Sequence, residues 1–84
     1  MNKRYFEIYV AGSNGFSAYV STGKQIVNRL AGDDIEKRIL ELAVAAKVIE
    51  GGEGGDAKEI YNGAGYVEER QVAELPPHTA VTEI

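Results

Sequence analysis

Arg4-Tyr-Phe-Glu-Ile-Tyr-Val10 alternates with period two: Phe6, Ile8 and Val10 fall on one side, and Tyr5, Glu7 and Tyr9 on the other. Successive side chains of a strand point to opposite faces, so this spacing predicts an extended strand with one face toward a core. Ala11-Gly-Ser-Asn-Gly15 follows, with two glycines and an Asn that tolerate positive φ. Phe16 to Ser21 then alternates again, placing Phe16, Ala18 and Val20 on one face. Two alternating runs around a short glycine-bearing turn predict an antiparallel hairpin.

Thr22 to Ala31 is ambiguous. Thr22 and Gln25 have capping-box spacing and Ile26, Val27 and Leu30 share a helical side, yet Ile26, Asn28 and Leu30 also alternate. A short helical turn is the favoured reading. Gly32-Asp-Asp-Ile-Glu36 then offers Asp33 as a helix N-cap with Glu36 three residues on, and Ile35, Ile39, Leu42, Ala46 and Ile49 form an apolar stripe. A helix from about Asp34 to Lys47 follows, ended by Gly51 and Gly52 in positive-φ conformations. Its charges at four-residue spacing, Asp33 with Lys37, Asp34 with Arg38, and Lys37 with Glu41, predict a solvated outer face. Ala57 to Asn62 and Tyr66 to about Ala73 flank Gly63-Ala-Gly65 and predict a second hairpin, although residues 68–75 are also good helix formers. Pro76-Pro77 ends that run, and Thr79 to Ile84 supplies a terminal edge strand. The expected fold class is α+β, an antiparallel sheet of four to five strands with one main helix on one face, ordered β-hairpin, helix, β-hairpin.

The 84 residues suffice for a single compact domain, 1–84, burying roughly 60 to 65 % of the surface of the unfolded chain. Without cysteine there is no disulfide and no thiolate metal site, and the lone His78 cannot hold a metal by itself. No segment reaches the roughly 20 apolar residues of a membrane span, and charge interrupts the N-terminus before a signal-peptide core develops. A cytoplasmic protein without membrane partners is the expectation. Charge is uneven: residues 1–32 carry four cations against Glu7, whereas residues 33–84 carry five cations against twelve carboxylates, for a net charge of −4. This balance disfavours direct nucleic-acid binding, whose affinity rests on cations meeting phosphate.

No pattern of residues announces catalysis or a cofactor. Glu50-Gly-Gly-Glu-Gly-Gly-Asp56 is glycine-rich, but it follows a helix rather than opening one and puts Glu50, Glu53 and Asp56 where a phosphate would sit. It lacks the alternating oxygen ligands of a calcium loop, so it reads as a joint between scaffold pieces. His78 has no Ser or Asp at triad spacing, and Glu68 and Glu69 point to opposite faces of an extended chain. Neither catalytic residues, metal ligands nor cofactors are expected, and the chain reads as a non-enzyme. Two surfaces remain. The strand period puts Tyr5, Tyr9 and Tyr19 on the sheet face away from the helix, a place where no expected element covers them and where rigid amphipathic rings commonly anchor interfaces. The second half gathers Glu50, Glu53, Asp56, Glu59, Glu68, Glu69 and Glu74, which suit a basic groove on a partner.

The hairpin RYFEIYVAGSNGFSAYV, the capped helix from Asp33 and the run EIYNGAGYVEE together resemble the small acidic inhibitors of phages and mobile elements, including anti-CRISPR proteins. The resemblance implies inhibition by binding in a host cytoplasm: an acidic or tyrosine-rich surface blocks the basic groove of a host protein or ribonucleoprotein complex, such as a defence nuclease. Two alternatives use the same residues. One is a self-associating module dimerised through the tyrosines, and the other a single-stranded nucleic-acid binder stacking bases on them.

Overall fold

The computed structural model describes residues 3–12 and 15–84. The alternating segment becomes β1 (Arg4–Val10), paired antiparallel on one side with β2 (Phe16–Thr22) and on the other with β3 (Gly65–Arg70). The short β4 (Val81–Glu83) joins the outer edge of β2 in parallel, giving the order β3-β1-β2-β4. The expected α+β class holds, but the sheet is mixed rather than wholly antiparallel. The first hairpin forms with Phe6 opposite Val20 and Ile8 opposite Ala18. Of its turn, Ser13 and Asn14 lie outside the described residues.

Three helices separate β2 from β3: α1 (Gln25–Asn28), α2 (Asp33–Ala45) and α3 (Asp56–Tyr61). The one-turn α1 matches the favoured reading of residues 22–31, except that Thr22 belongs to β2 and its Oγ1 accepts the Lys24 N–H at 3.2 Å. In α2 the buried positions are Ile35, Ile39, Leu40 and Ala43. Against the expected stripe, Leu42 is half-buried and Ala46 is exposed, while Leu40 turns inward. The N-cap is Gly32, not Asp33, so Asp33, Asp34 and Glu36 act in the first helical turn, where carboxylates oppose the positive end of the dipole. None of the three expected four-residue pairs is among the ion pairs of the described residues; on this helix Arg38 pairs instead with Glu41, three residues on.

The two helix C-termini close in the same way on different residues. At the end of α2, Val48 N–H donates to Ala43 O (2.9 Å) and Lys47 N–H to Val44 O (3.0 Å), with Lys47 at φ 62°. This is a Schellman closure with lysine in the left-handed position, so Gly51 and Gly52 do not end the helix. At the end of α3, Ala64 N–H donates to Glu59 O (2.8 Å) and Gly63 N–H to Ile60 O (3.0 Å), with Gly63 at φ 91°. That closure corrects the second hairpin: Gly63-Ala64-Gly65 is a helix stop, and Ala57–Asn62 is not a strand. A helix is favoured there because Ala57, Ile60 and Tyr61 sit on one side at three- and four-residue spacing, with Ala57 buried and Ile60 half-buried. Six residues are too few to be helical alone, so packing and the glycine stop decide.

Phe6, Ile8, Val20 and Val67 from the sheet meet Val27, Ile35, Ile39, Leu40, Ala43 and Ala57 from the helices in one core. Phe16, expected inside, is 45 % exposed at the turn end of the hairpin. Ile84 is buried at the chain end, its N–H donating to Ser21 O at 2.8 Å. Beyond β3, a 3-10 turn at Val72–Glu74 resolves residues 68–75: strand to Arg70, then a helical turn.

Candidate protein-binding face

Strand pairing assembles the face that the helices leave. Tyr5, Glu7 and Tyr9 of β1 lie between Ser17, Tyr19 and Ser21 of β2 and Tyr66, Glu68 and Arg70 of β3. Val81 and Glu83 of β4 extend the face beyond Tyr19 and Ser21. The three tyrosines expected together are therefore together, and β3 adds Tyr66. The Tyr9 and Tyr66 rings stack with centroids 5.1 Å apart and an interplanar angle of 25°. Tyr66 is 36 % exposed, and Tyr5, Tyr9 and Tyr19 are half-buried.

At the centre lies Glu7, only 8 % exposed although α1 to α3 pack on the other side of the sheet. Both of its oxygens are occupied. Arg70 donates from Nε (3.1 Å) and Nη2 (2.9 Å) to Oε1, while Ser17 Oγ (2.7 Å) and Tyr66 Oη (3.3 Å) donate to Oε2. Arg70 also pairs with Glu68 at 2.6 Å. Burial pushes the Glu7 carboxyl up. The Ser17 hydroxyl, the Arg70 guanidinium and the Tyr66 hydroxyl outweigh it and hold the group below the ordinary glutamate range. For Tyr66, burial first and the adjacent Glu7 charge second raise the phenol above its usual value, so it remains a donor at neutral pH. The network ties together face positions of three strands: Glu7 of β1, Ser17 of β2, and Tyr66 and Arg70 of β3. Its rings are thus held before any partner arrives, which lowers the ordering cost of binding.

This face is not entirely bare. The connections β2 to β3 and β3 to β4 both join parallel strands but cross the sheet in opposite directions. Crossovers of the same hand that run in opposite directions lie on opposite faces. With α1 to α3 on the core side, residues 71–80 pass over the tyrosine side. Leu75 fits this path, being half-buried yet outside the helix-side core. The strap crosses from the Arg70 end of β3 to Val81 beside Tyr19, so the Tyr9–Tyr66 pair at the opposite end of β3 is the freer half.

The acidic residues do not form one surface. Glu68 stands on the tyrosine face, whereas Glu69 stands on the helix face, where Arg4 Nε (2.9 Å) and Nη2 (2.8 Å) donate to its two oxygens. That hydrogen bond pulls the Glu69 pKa below the ordinary range. Asp56 Oδ2 accepts the Glu50 N–H at 3.1 Å and Ala57 N–H donates to Glu50 O at 3.0 Å, tying the ends of the glycine-rich loop together. Gly55 is buried inside that loop, and a Cβ there would meet the Glu50 carbonyl oxygen at 2.9 Å. Glu74 accepts the Gln71 N–H at 2.6 Å in the 3-10 turn. Glu59 is half-buried on α3, leaving Glu50 and Glu53 as exposed loop carboxylates.

Sequence reading missed Glu7, Ser17, Tyr66 and Arg70 as a unit. The signal was the Tyr66, Glu68, Arg70 alternation, hidden by pairing β3 with Ala57–Asn62 instead of β1. Among the described residues no group of three or more His, Asp and Glu side chains is placed to hold a metal ion, and no helix is long and apolar enough to cross a membrane. Comparison with known proteins gives no match to a family model, a curated protein or a solved structure.

Proposed function

We propose that this chain acts without catalysis, by binding another protein, and that the tyrosine face rather than the acidic second half makes the principal contact. The carrying observation is the Tyr9–Tyr66 stack, tied to Glu7 through the Tyr66 hydroxyl: two amphipathic rings at the less covered end of a sheet face. Rigid aromatics are the residues that most often anchor protein interfaces. The carboxylates support this ranking, because Asp56, Glu68, Glu69 and Glu74 are each engaged within the fold. Exposed Glu50 and Glu53 contribute to encounter with a basic partner rather than to its grip.

In this reading the chain is an inhibitor of the small phage kind, and its target is a host protein or nuclease complex in the cytoplasm. The test is affinity capture from the host lysate with the wild type and with Tyr9→Ser combined with Tyr66→Ser. A specific partner held by the wild type and lost by the double variant, with unchanged capture by Glu50→Lys and Glu53→Lys at moderate salt, is the expected pattern. Equal capture by the double variant rules the face out. A wild-type dimer in light scattering that the double variant abolishes assigns the face to self-association instead.

A further inference from the structure

The sheet has two edges, and they differ. β4 is three residues long, too short to template another strand, whereas β3 runs for six. The Ala11 N–H to Ala64 O bond, at 2.9 Å, sets the phase of the β1–β3 ladder. Antiparallel pairing alternates, so Tyr66, Glu68 and Arg70 turn their N–H and C=O groups toward β1, and Gly65, Val67 and Glu69 turn theirs outward. Among the described residues no backbone group pairs with these outward groups. Val67 as a residue is only 4 % exposed, its side chain packed in the core, while its outward N–H and C=O lie along an edge that no further strand covers.

Beside this edge runs a groove. A cavity of about 550 Å³ with Leu40, Ile60, Tyr61 and Val67 in its wall continues into one of about 390 Å³ bounded by Ile35 and again by Val67. Glu36 belongs to both, Asp33 and Lys37 also line the first, and Glu68, Glu69 and Arg70 also line the second, so carboxylates outnumber cations along the groove. On the other side of the strand, Glu68 and the Tyr66 ring flank the same edge.

We infer that the outer edge of β3 receives an extended segment of a partner protein as a fifth strand, one that alternates apolar and basic residues. Its apolar side chains, two residues and about 7 Å apart, enter the groove between β3 and α2. Its basic side chains emerge on the tyrosine side, opposite Glu68 and Tyr66. Charge selects this occupant over a second copy of the chain. Each copy carries a net −4, and edge-to-edge pairing would bring two sets of Asp33, Glu36 and Glu69 together. The site is separate from the Tyr9–Tyr66 contact in that its grip comes from backbone groups and the helix-side groove.

The experiment titrates the peptide acetyl-Lys-Val-Lys-Val-Lys-Val-amide into the isotopically labelled full chain and follows amide shifts and hydrogen exchange. Binding should slow exchange of the Val67 and Glu69 amides by about tenfold or more and leave the inward Glu68 amide, already paired, unchanged. N-methylation of either the three Val or the three Lys peptide nitrogens should weaken binding about tenfold, and methylation of the other set should not, because only one set faces the edge. The peptide with Glu in place of Lys should bind at least about tenfold more weakly. Unchanged Val67 and Glu69 amides at saturating peptide overturn the inference, as does equal tolerance of both N-methylated sets. Protection of those amides in a peptide-free dimer overturns it too, by giving the edge to a second copy.

Discussion

The two faces of β1 are built from alternate residues of the same seven-residue strand, yet they are held by different physics. Phe6, Ile8 and Val10 are buried under helices, and their contribution is apolar area removed from water. Tyr5, Glu7 and Tyr9 have no helix over them, and there a buried carboxylate organises its neighbours through four directed hydrogen bonds. The first face stabilises without specifying a partner. The second contributes less stability but arranges directed polar and aromatic groups, and the difference shows how one strand supplies both the fold and a candidate site.

The largest effect lies on the covered side. Ile8 is completely buried in the central strand, so Ile8→Ala should cost about 2–5 kcal/mol in urea unfolding. Tyr5→Ser, on the opposite face of the same strand, should cost about 1 kcal/mol or less, and comparable losses from the two would erase the distinction between faces.

The next effect tests whether Glu7 is held as an anion. Its folded pKa is depressed, so its contribution to stability is present above the unfolded glutamate value of about 4.3 and is lost as pH falls below it. Glu69 behaves with the same sign through Arg4. Glu7→Gln should therefore show a shallower loss of stability between about pH 5 and pH 2 than the wild type, and Glu7→Gln with Glu69→Gln a shallower one still. An acid limb that is identical in the wild type and the double variant would show that neither carboxylate is stabilised as the anion.

The smallest effect touches neither face and serves as a control. Lys47 occupies at the end of α2 the left-handed position that Gly63 occupies at the end of α3. A side chain there costs about 1 kcal/mol, so Lys47→Gly should stabilise the chain by about 0.5–1 kcal/mol without altering the amide shifts of β1.

Much of this was legible along the chain. The alternation of residues 4–10 and 16–21 placed three tyrosines on one face, and the four- and three-residue steps from Ile35 through Ile39 to Leu42 marked the main helix. The second half was less legible because its signals were balanced. Ala57–Asn62 is short enough to read either way, and glycine stops a helix as readily as it turns a hairpin. Assigning Gly63 to a turn misplaced the partner of β3, and with it Tyr66, Arg70 and the network around Glu7. The acidic composition was plain, but composition does not say which carboxylates are already engaged. Glu68 and Glu69 are neighbours in sequence and salt-bridge different arginines on different faces.

The sequence by itself determined the local periods, since side-chain direction in a strand or helix depends only on backbone geometry. It determined, too, that a small cysteine-free chain must rest on packing. Tertiary structure alone decided which strands are neighbours, hence that Glu7 meets Arg70 across 63 positions of chain, that β3 rather than a hairpin partner forms the edge, and that the backbone N–H and C=O of Val67 point away from β1. Those pairings follow from burying the helices and the sheet against one another, a non-local balance of apolar burial and hydrogen bonding that no short window of residues contains.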